Sequence, residues 1–123
     1  MTAARDVKMM RALGAVADER VRQHTKWGQQ DHPDLPPGLA GEERLHVFRY
    51  LGIDLPEVIK ADVDGHATVG ESNWALIALE EMAEAVEAAW LGDVAALRTE
   101  LVQTAAVLVQ WIEAIDRRPG VTS

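Results

Sequence analysis

Two stretches constrain this chain more than anything else in it. They are "WALIALEEMAEAVEAAWL", residues 74–91, and "VAALRTELVQTAAVLVQWIEAID", residues 94–116, separated only by Gly92 and Asp93. In both, apolar residues recur at three- and four-residue intervals, the period of a helix. Ser72 or Asn73 is placed to cap the first helix, Gly92 to stop it, and Asp93 to cap the second. Two long helices joined by so short a link double back as an antiparallel hairpin. No segment alternates with the period of two that a half-buried strand needs, so the expected class is all-α.

The remaining chain is read around that hairpin. Residues 5–26 have a helical period, with Val7, Met10, Leu13, Gly14, Ala17, Val21 and His24 on the side expected to face inward. The segment "KWGQQDHPDLPPG" should end that helix, because its glycines and prolines break regular structure. Residues 42–52 suggest a short helix with Leu45, Phe48 and Leu51 inward and Gly52 as its stop. "DLPEVIKA" adds a further helical turn, and "DVDGHATVGESN" reads as a loop. Residues 28–72 are therefore expected to be irregular or short-helical, and residues 117–123 a frayed tail. So much loop in a small domain usually caps a site or meets a partner.

With 123 residues, 48% of them apolar, the chain suits one domain over 1–123. It has no cysteine, which excludes disulfides and thiolate sites and suits a reducing compartment. The opening "MTAARDVKMM" is too charged for a secretory leader, and no apolar run approaches the roughly 18 residues that span a bilayer. A cytoplasmic protein without a membrane partner is the expectation. Twelve basic against twenty acidic residues give a net charge of −8, which repels phosphate backbones and argues against polymeric nucleic acid. A small polyphosphate can still bind if a cation bridges it to the protein.

The 74–91 helix carries acids where a core belongs. At about 100° per residue, Trp74, Ile77, Glu81, Glu84 and Ala88 share one narrow stripe, flanked by Glu80 and Glu87. Nearly every other direction is apolar, so Glu81 and Glu84 should point into protein or a cleft. On the next helix Glu100 shares a stripe with Val107, Trp111 and Ala114, and Gln103 lies one turn beyond it. In an antiparallel hairpin, Glu84 and Glu100 sit at comparable heights. Carboxylates gathered away from water repel one another and lose hydration, so such a cluster calls for a cation. An all-oxygen ligand set selects Mg²⁺ or Mn²⁺ over zinc. The bland alternative is a solvated acidic face, which a lone pair of glutamates on a helix usually forms.

The pattern "EEMAE", residues 80–84, followed by "ELVQ", residues 100–103, resembles the MazG-like all-α nucleoside triphosphate pyrophosphohydrolases. Their motif is E-E-x-x-E on one helix and E-x-x-D on the next. "ERVRQHTKWGQQDHPD" in the first half adds to the likeness, which is weakest over residues 35–70. The resemblance implies a helical bundle with a four-helix-type core completed by self-association into a homodimer or homotetramer. It implies Mg²⁺-dependent hydrolysis of a (deoxy)nucleoside triphosphate to monophosphate and pyrophosphate, by a metal-activated water attacking the α-phosphorus. Glu81, Glu84, Glu100 and Gln103 would then be metal ligands, with Glu80 or Glu84 as the base. Gln103 departs from the family's aspartate. It offers an uncharged oxygen, which weakens the case for a second metal.

Other candidates follow from position. Arg22 and Lys26, one turn apart, either clamp the β- and γ-phosphates or form a solvated face. Trp27 is either a core plug or a platform for a base. His24 reads as a core histidine, while His32 and Asp34 lie in a loop where they could read a base. Trp74 and Trp111 either wall the site or pack in the core, and Arg98 could pair with an acid. Two other classes compete with the enzyme: a non-catalytic nucleotide or metal sensor on the same fold, and a structural helical protein whose acids pair with Arg98, Arg117 or Arg118. A ferritin-like di-iron protein is weaker still, because neither long helix contains histidine.

Overall fold

The computed structural model describes residues 3–39 and 41–120. Among these, regular structure consists of helices: α1 (Ala4–Trp27), α2 (Arg44–Leu51), α3 (Pro56–Thr68), α4 (Trp74–Leu91) and α5 (Val94–Asp116). Cα packing divides the chain into two compact units, one of residues 33–107 and one joining residues up to 32 with those from 108 onward.

In the 33–107 unit the hairpin forms as its punctuation requires. The Asn73 side chain accepts from the Leu76 N–H at 2.9 Å and starts α4, and the Asp93 carboxylate accepts from the Ala96 N–H at 3.0 Å and starts α5. Between them Gly92 adopts φ 72°, a left-handed conformation that costs a residue with a Cβ about 1 kcal/mol. Its N–H donates to Ala89 and that of Asp93 to Ala88, so the last carbonyls of α4 are satisfied. Gly52 closes α2 in the same manner, with Ile53 donating back to Phe48.

The core of this unit is Phe48, Ile59, Ala83 and Val86, with Leu35, Ile53, Leu55 and Val63 packed against it. Its α4 side is built largely of alanine. Ala83, Ala85 and Ala88 are buried, and their small side chains let α3 and α2 approach the helix closely.

Two readings of this region are corrected. The stretch expected to be loop from Asp62 is helix as far as Thr68, followed by Gly70 at φ 72°. Ile59, Val63 and His66 form one face of α3 at helical spacing, and burying Ile59 and Val63 outweighs the roughly 1 kcal/mol that Gly65 costs inside a helix. In α2 the inward residues are Val47 and Phe48, while Leu45 and Leu51 are exposed. The helix is rotated so that Arg44, one turn before Phe48, reaches toward α4.

In the other unit Ala12, Val109 and Glu113 are buried. The expected inward stripe of α1 is not: Val7, Met10, Leu13 and Val21 are all exposed, as is His24, which is therefore not a core histidine. A helix of 24 residues shares this unit with only the last turns of α5, too little surface to cover a full stripe. Residues 117–120 follow α5 as turns, and 121–123 of the expected tail lie outside the described residues.

Candidate functional site

The register of the hairpin decides which acids meet. Glu81 and Glu84 lie one turn apart on α4, and Glu100 lies opposite them on α5. One carboxylate oxygen from each falls within 4.8 Å of the other two, a grouping that could hold a metal ion. All three residues are half-buried, whereas Leu79 and Met82 of the same helix are exposed. An ordinary amphipathic helix does the reverse.

The electrostatics are correspondingly strained. Oε2 of Glu81 and Oε2 of Glu100 are sealed from water and have no hydrogen-bond partner. Buried polar atoms of this kind are rare and ask for an explanation, an ion among the usual ones. Loss of hydration, then the charges of Glu100 and Glu81, push the Glu84 carboxyl up to about 7. Burial likewise raises Glu81, helped by Glu100 and Glu80. Without a counter-ion, Glu84 takes up a proton as pH falls through about 7, and the protonated carboxyl hydrogen-bonds with Glu100. Among the described residues, no ion pair joins these three acids to Arg98, Arg117 or Arg118.

A cavity of about 430 Å³ opens beside the cluster, lined by Glu84, Glu87 and Glu100 from α4 and α5 and by Arg44, Glu57 and Lys60 from α2 and α3. Its size lies within the roughly 300–1,000 Å³ of small-molecule sites. Arg44 was not singled out from the sequence, yet it organises the rim. Its Nε donates to Glu87 at 2.9 Å, its Nη1 to Glu57 at 2.8 Å, and its Nη2 to both. The guanidinium also lies 5.7 Å from the centre of the Phe48 ring. One residue thus joins α2, α3 and α4. It holds Glu57 down to about 2 through paired hydrogen bonds, and ties Glu87 by the same means. The signal that could have found it is the 44, 47, 48 spacing on α2, which sets Arg44 on the buried face.

The other sequence candidates divide by unit. Glu80 is half-buried beside Glu81 and its charge acts on both Glu81 and Glu84, but it is not one of the three that converge. Gln103 is exposed on α5. Trp74 is half-buried and Arg98 exposed. Arg22, Lys26 and Trp27 belong to the other unit. There Arg22 pairs with Glu19 at 2.7 Å, and the Lys26 ammonium sits 4.9 Å over the ring of Trp27. Trp27 is 54% exposed, so it is not a core plug. His32 and Asp34 are exposed, and Trp111 is half-buried. No helix among the described residues is long and apolar enough to cross a membrane. Comparison with protein-family models, with curated proteins and with solved structures finds no match to this chain.

Proposed function

We propose that the 33–107 unit binds Mg²⁺ or Mn²⁺ through Glu81, Glu84 and Glu100 and hydrolyses a nucleoside triphosphate to its monophosphate and pyrophosphate. The observation that carries this is the pair of sealed, unpartnered oxygens on Glu81 and Glu100, with a Glu84 oxygen within 4.8 Å of a carboxylate oxygen of each and a ligand-sized cavity alongside. Hard oxygen donors without nitrogen or sulfur suit these cations, and Mg²⁺ commonly takes one or two carboxylates and leaves room for phosphate oxygens. A divalent ion there would neutralise phosphate charge and acidify a bound water. The likeness of "EEMAE" and "ELVQ" to the MazG-like motif supplies the choice of reaction.

In this reaction water oxygen bonds to the α-phosphorus, the α–β bridging bond breaks, and pyrophosphate leaves. Glu80, or Glu84 where its carboxylate is not engaged, receives the water's proton. Glu81 and Glu100 would hold the ion, and through it the phosphates would be oriented. The reaction as proposed needs only groups of the 33–107 unit. Self-association, which would cover the exposed stripe of α1, belongs to the same proposal.

The test is pyrophosphate release from each standard and modified nucleoside triphosphate, with Mg²⁺ and with EDTA. Release above background that requires Mg²⁺ is expected with at least one of them. In parallel Gln103→Asp is expected to turn over at an equal or higher rate, because a second carboxylate on α5 strengthens cation binding. The exposed, uncharged Gln103 also favours a second reading, a nucleotide sensor. That reading predicts Mg²⁺-dependent binding with no product from any substrate.

Proton linkage gives an independent check. The folded Glu84 carboxyl titrates near 7 and the unfolded one near 4.5, so its folded value is raised. The metal-free protein therefore holds this term fully below about pH 4.5 and loses it as pH rises through 7. A divalent cation must displace the proton, so its grip strengthens over the same interval. In calorimetry at matched ionic strength, the melting-temperature rise on adding Mg²⁺ should be several degrees larger at pH 8 than at pH 6. Equal rises at both pH values would count against the site.

A further inference from the structure

The cavity beside the triad has two cationic residues in its wall, and they are not equivalent. Arg44 is committed: four hydrogen bonds tie its guanidinium to Glu57 and Glu87, and it lies 5.7 Å from the centre of the Phe48 ring. Lys60 is not. Its side chain is 61% exposed, and the ion pair it makes among the described residues, to Asp64 at 3.1 Å, lies one turn along α3 with Asp64 equally exposed. Exposed pairs of this kind contribute little and exchange readily with another anion. Lys60 also lines the same cavity as Glu84 and Glu100, and the charges of Glu80 and Glu84 act on its ammonium. It therefore shares the cavity wall with the carboxylates and keeps an exposed, charged head.

We propose that Lys60 is a phosphate-binding residue, its ammonium reaching from α3 into the cavity to hold the pyrophosphate end of the ligand while the α-phosphate lies at the triad. The chemistry follows from charge. The wall is dominated by carboxylates, so a polyphosphate needs cations at both ends, one at the triad and another elsewhere in the wall. A flexible lysine suits a terminal phosphate that must enter and leave, because it acts as a point charge without a fixed fork geometry. Arg44 keeps Glu57 and Glu87 occupied and so prevents either from competing for Lys60. This rests on the metal-dependent triphosphate reading above and names the phosphate contact which that reading lacks on the 33–107 unit.

The experiment titrates inorganic pyrophosphate into the full chain with Mg²⁺ by calorimetry, and separately measures Mn²⁺ binding without pyrophosphate. Lys60→Gln is expected to weaken pyrophosphate roughly tenfold, the loss of one charge-assisted contact. Its Mn²⁺ affinity should stay within twofold and its melting temperature should be unchanged. Lys60→Arg should recover most of the loss, and Asp64→Asn, which frees the ammonium, should bind pyrophosphate at least as well as the wild type. Pyrophosphate affinity unchanged in Lys60→Gln, with the wild type binding normally, overturns the assignment of Lys60 alone. Loss of Mn²⁺ affinity together with pyrophosphate affinity overturns it too, since the lysine then acts through the fold. Wild-type protein that binds neither Mn²⁺ nor pyrophosphate overturns the reading beneath it.

Discussion

Replacing Glu84 with glutamine is expected to abolish turnover and, in the same protein, to raise the melting temperature measured without metal at pH 8. The two effects have one cause. Glu84 is held by the hairpin near Glu100 and one turn from Glu81, and its ionisation is opposed by burial and by both neighbours. An amide of the same shape removes that repulsion and can donate to a Glu100 oxygen. The displacement of Glu84 to about 7 corresponds at most to ~3 kcal/mol between its two protonation states. Partial exposure reduces this to ~1–2 kcal/mol, roughly 3–8 °C for a chain of this length. For catalysis the amide supplies no charge to a cation and cannot take a proton. Loss of such a group from a preorganised site typically lowers turnover by about 10³-fold. The check is a pair of measurements, calorimetry in EDTA and pyrophosphate release with Mg²⁺. If the Glu84→Gln variant melts lower than the wild type in EDTA at pH 8, the triad stabilises the fold by itself. The cation would then have no physical rationale.

The convergence of these acids was legible because it follows from arithmetic on one hairpin. Gly92 and Asp93 fix the turn, the turn fixes the register, and the register puts residues 84 and 100 side by side. Every step is local, and the observed caps at Asn73, Gly92 and Asp93 coincide with the expected ones. The Arg44 and Lys60 side of the cavity was not legible for the opposite reason. It depends on which face α2 and α3 turn to α4. Short helices with mixed composition leave that face to tertiary packing. Asp62, Asp64 and Gly65 look like loop residues, and only the contacts of Ile59 and Val63 with the core make them helical. α1 illustrates a third limit. Its apolar stripe is real in the sequence, but within its unit there is little to pack against, so periodicity identified the helix and mispredicted its burial.

Arg44→Ala tests whether the cavity has a built frame rather than a chance arrangement of charges. Truncating Arg44 removes the only ties described for Glu87, which is 28% exposed and one turn from Glu84. An uncompensated carboxylate would then stand beside the triad. Removing one partner of a buried pair costs about 3–5 kcal/mol, and the partial exposure here brings the expectation for the Glu87 arm to ~2 kcal/mol, or roughly 6–10 °C in melting temperature. Glu57 supplies the pH signature. Its carboxyl is lowered from 4.5 to about 2 by Arg44, so the tie stabilises the fold above about pH 4.5 and fades as pH falls toward 2. The gap between wild type and Arg44→Ala should therefore be widest near neutrality and narrow progressively in acid. A second substitution separates charge from packing. In Arg44→Ala with Glu87→Gln the charge beside the triad is gone and only the more exposed Glu57 is left without its partner, so about half of the lost stability should return if charge is the cause. If the double variant is as unstable as the single, the stem of Arg44 over Phe48 is what matters. In that case the guanidinium is not what keeps Glu57 and Glu87 from Lys60, and the division of labour between the two cations loses its basis.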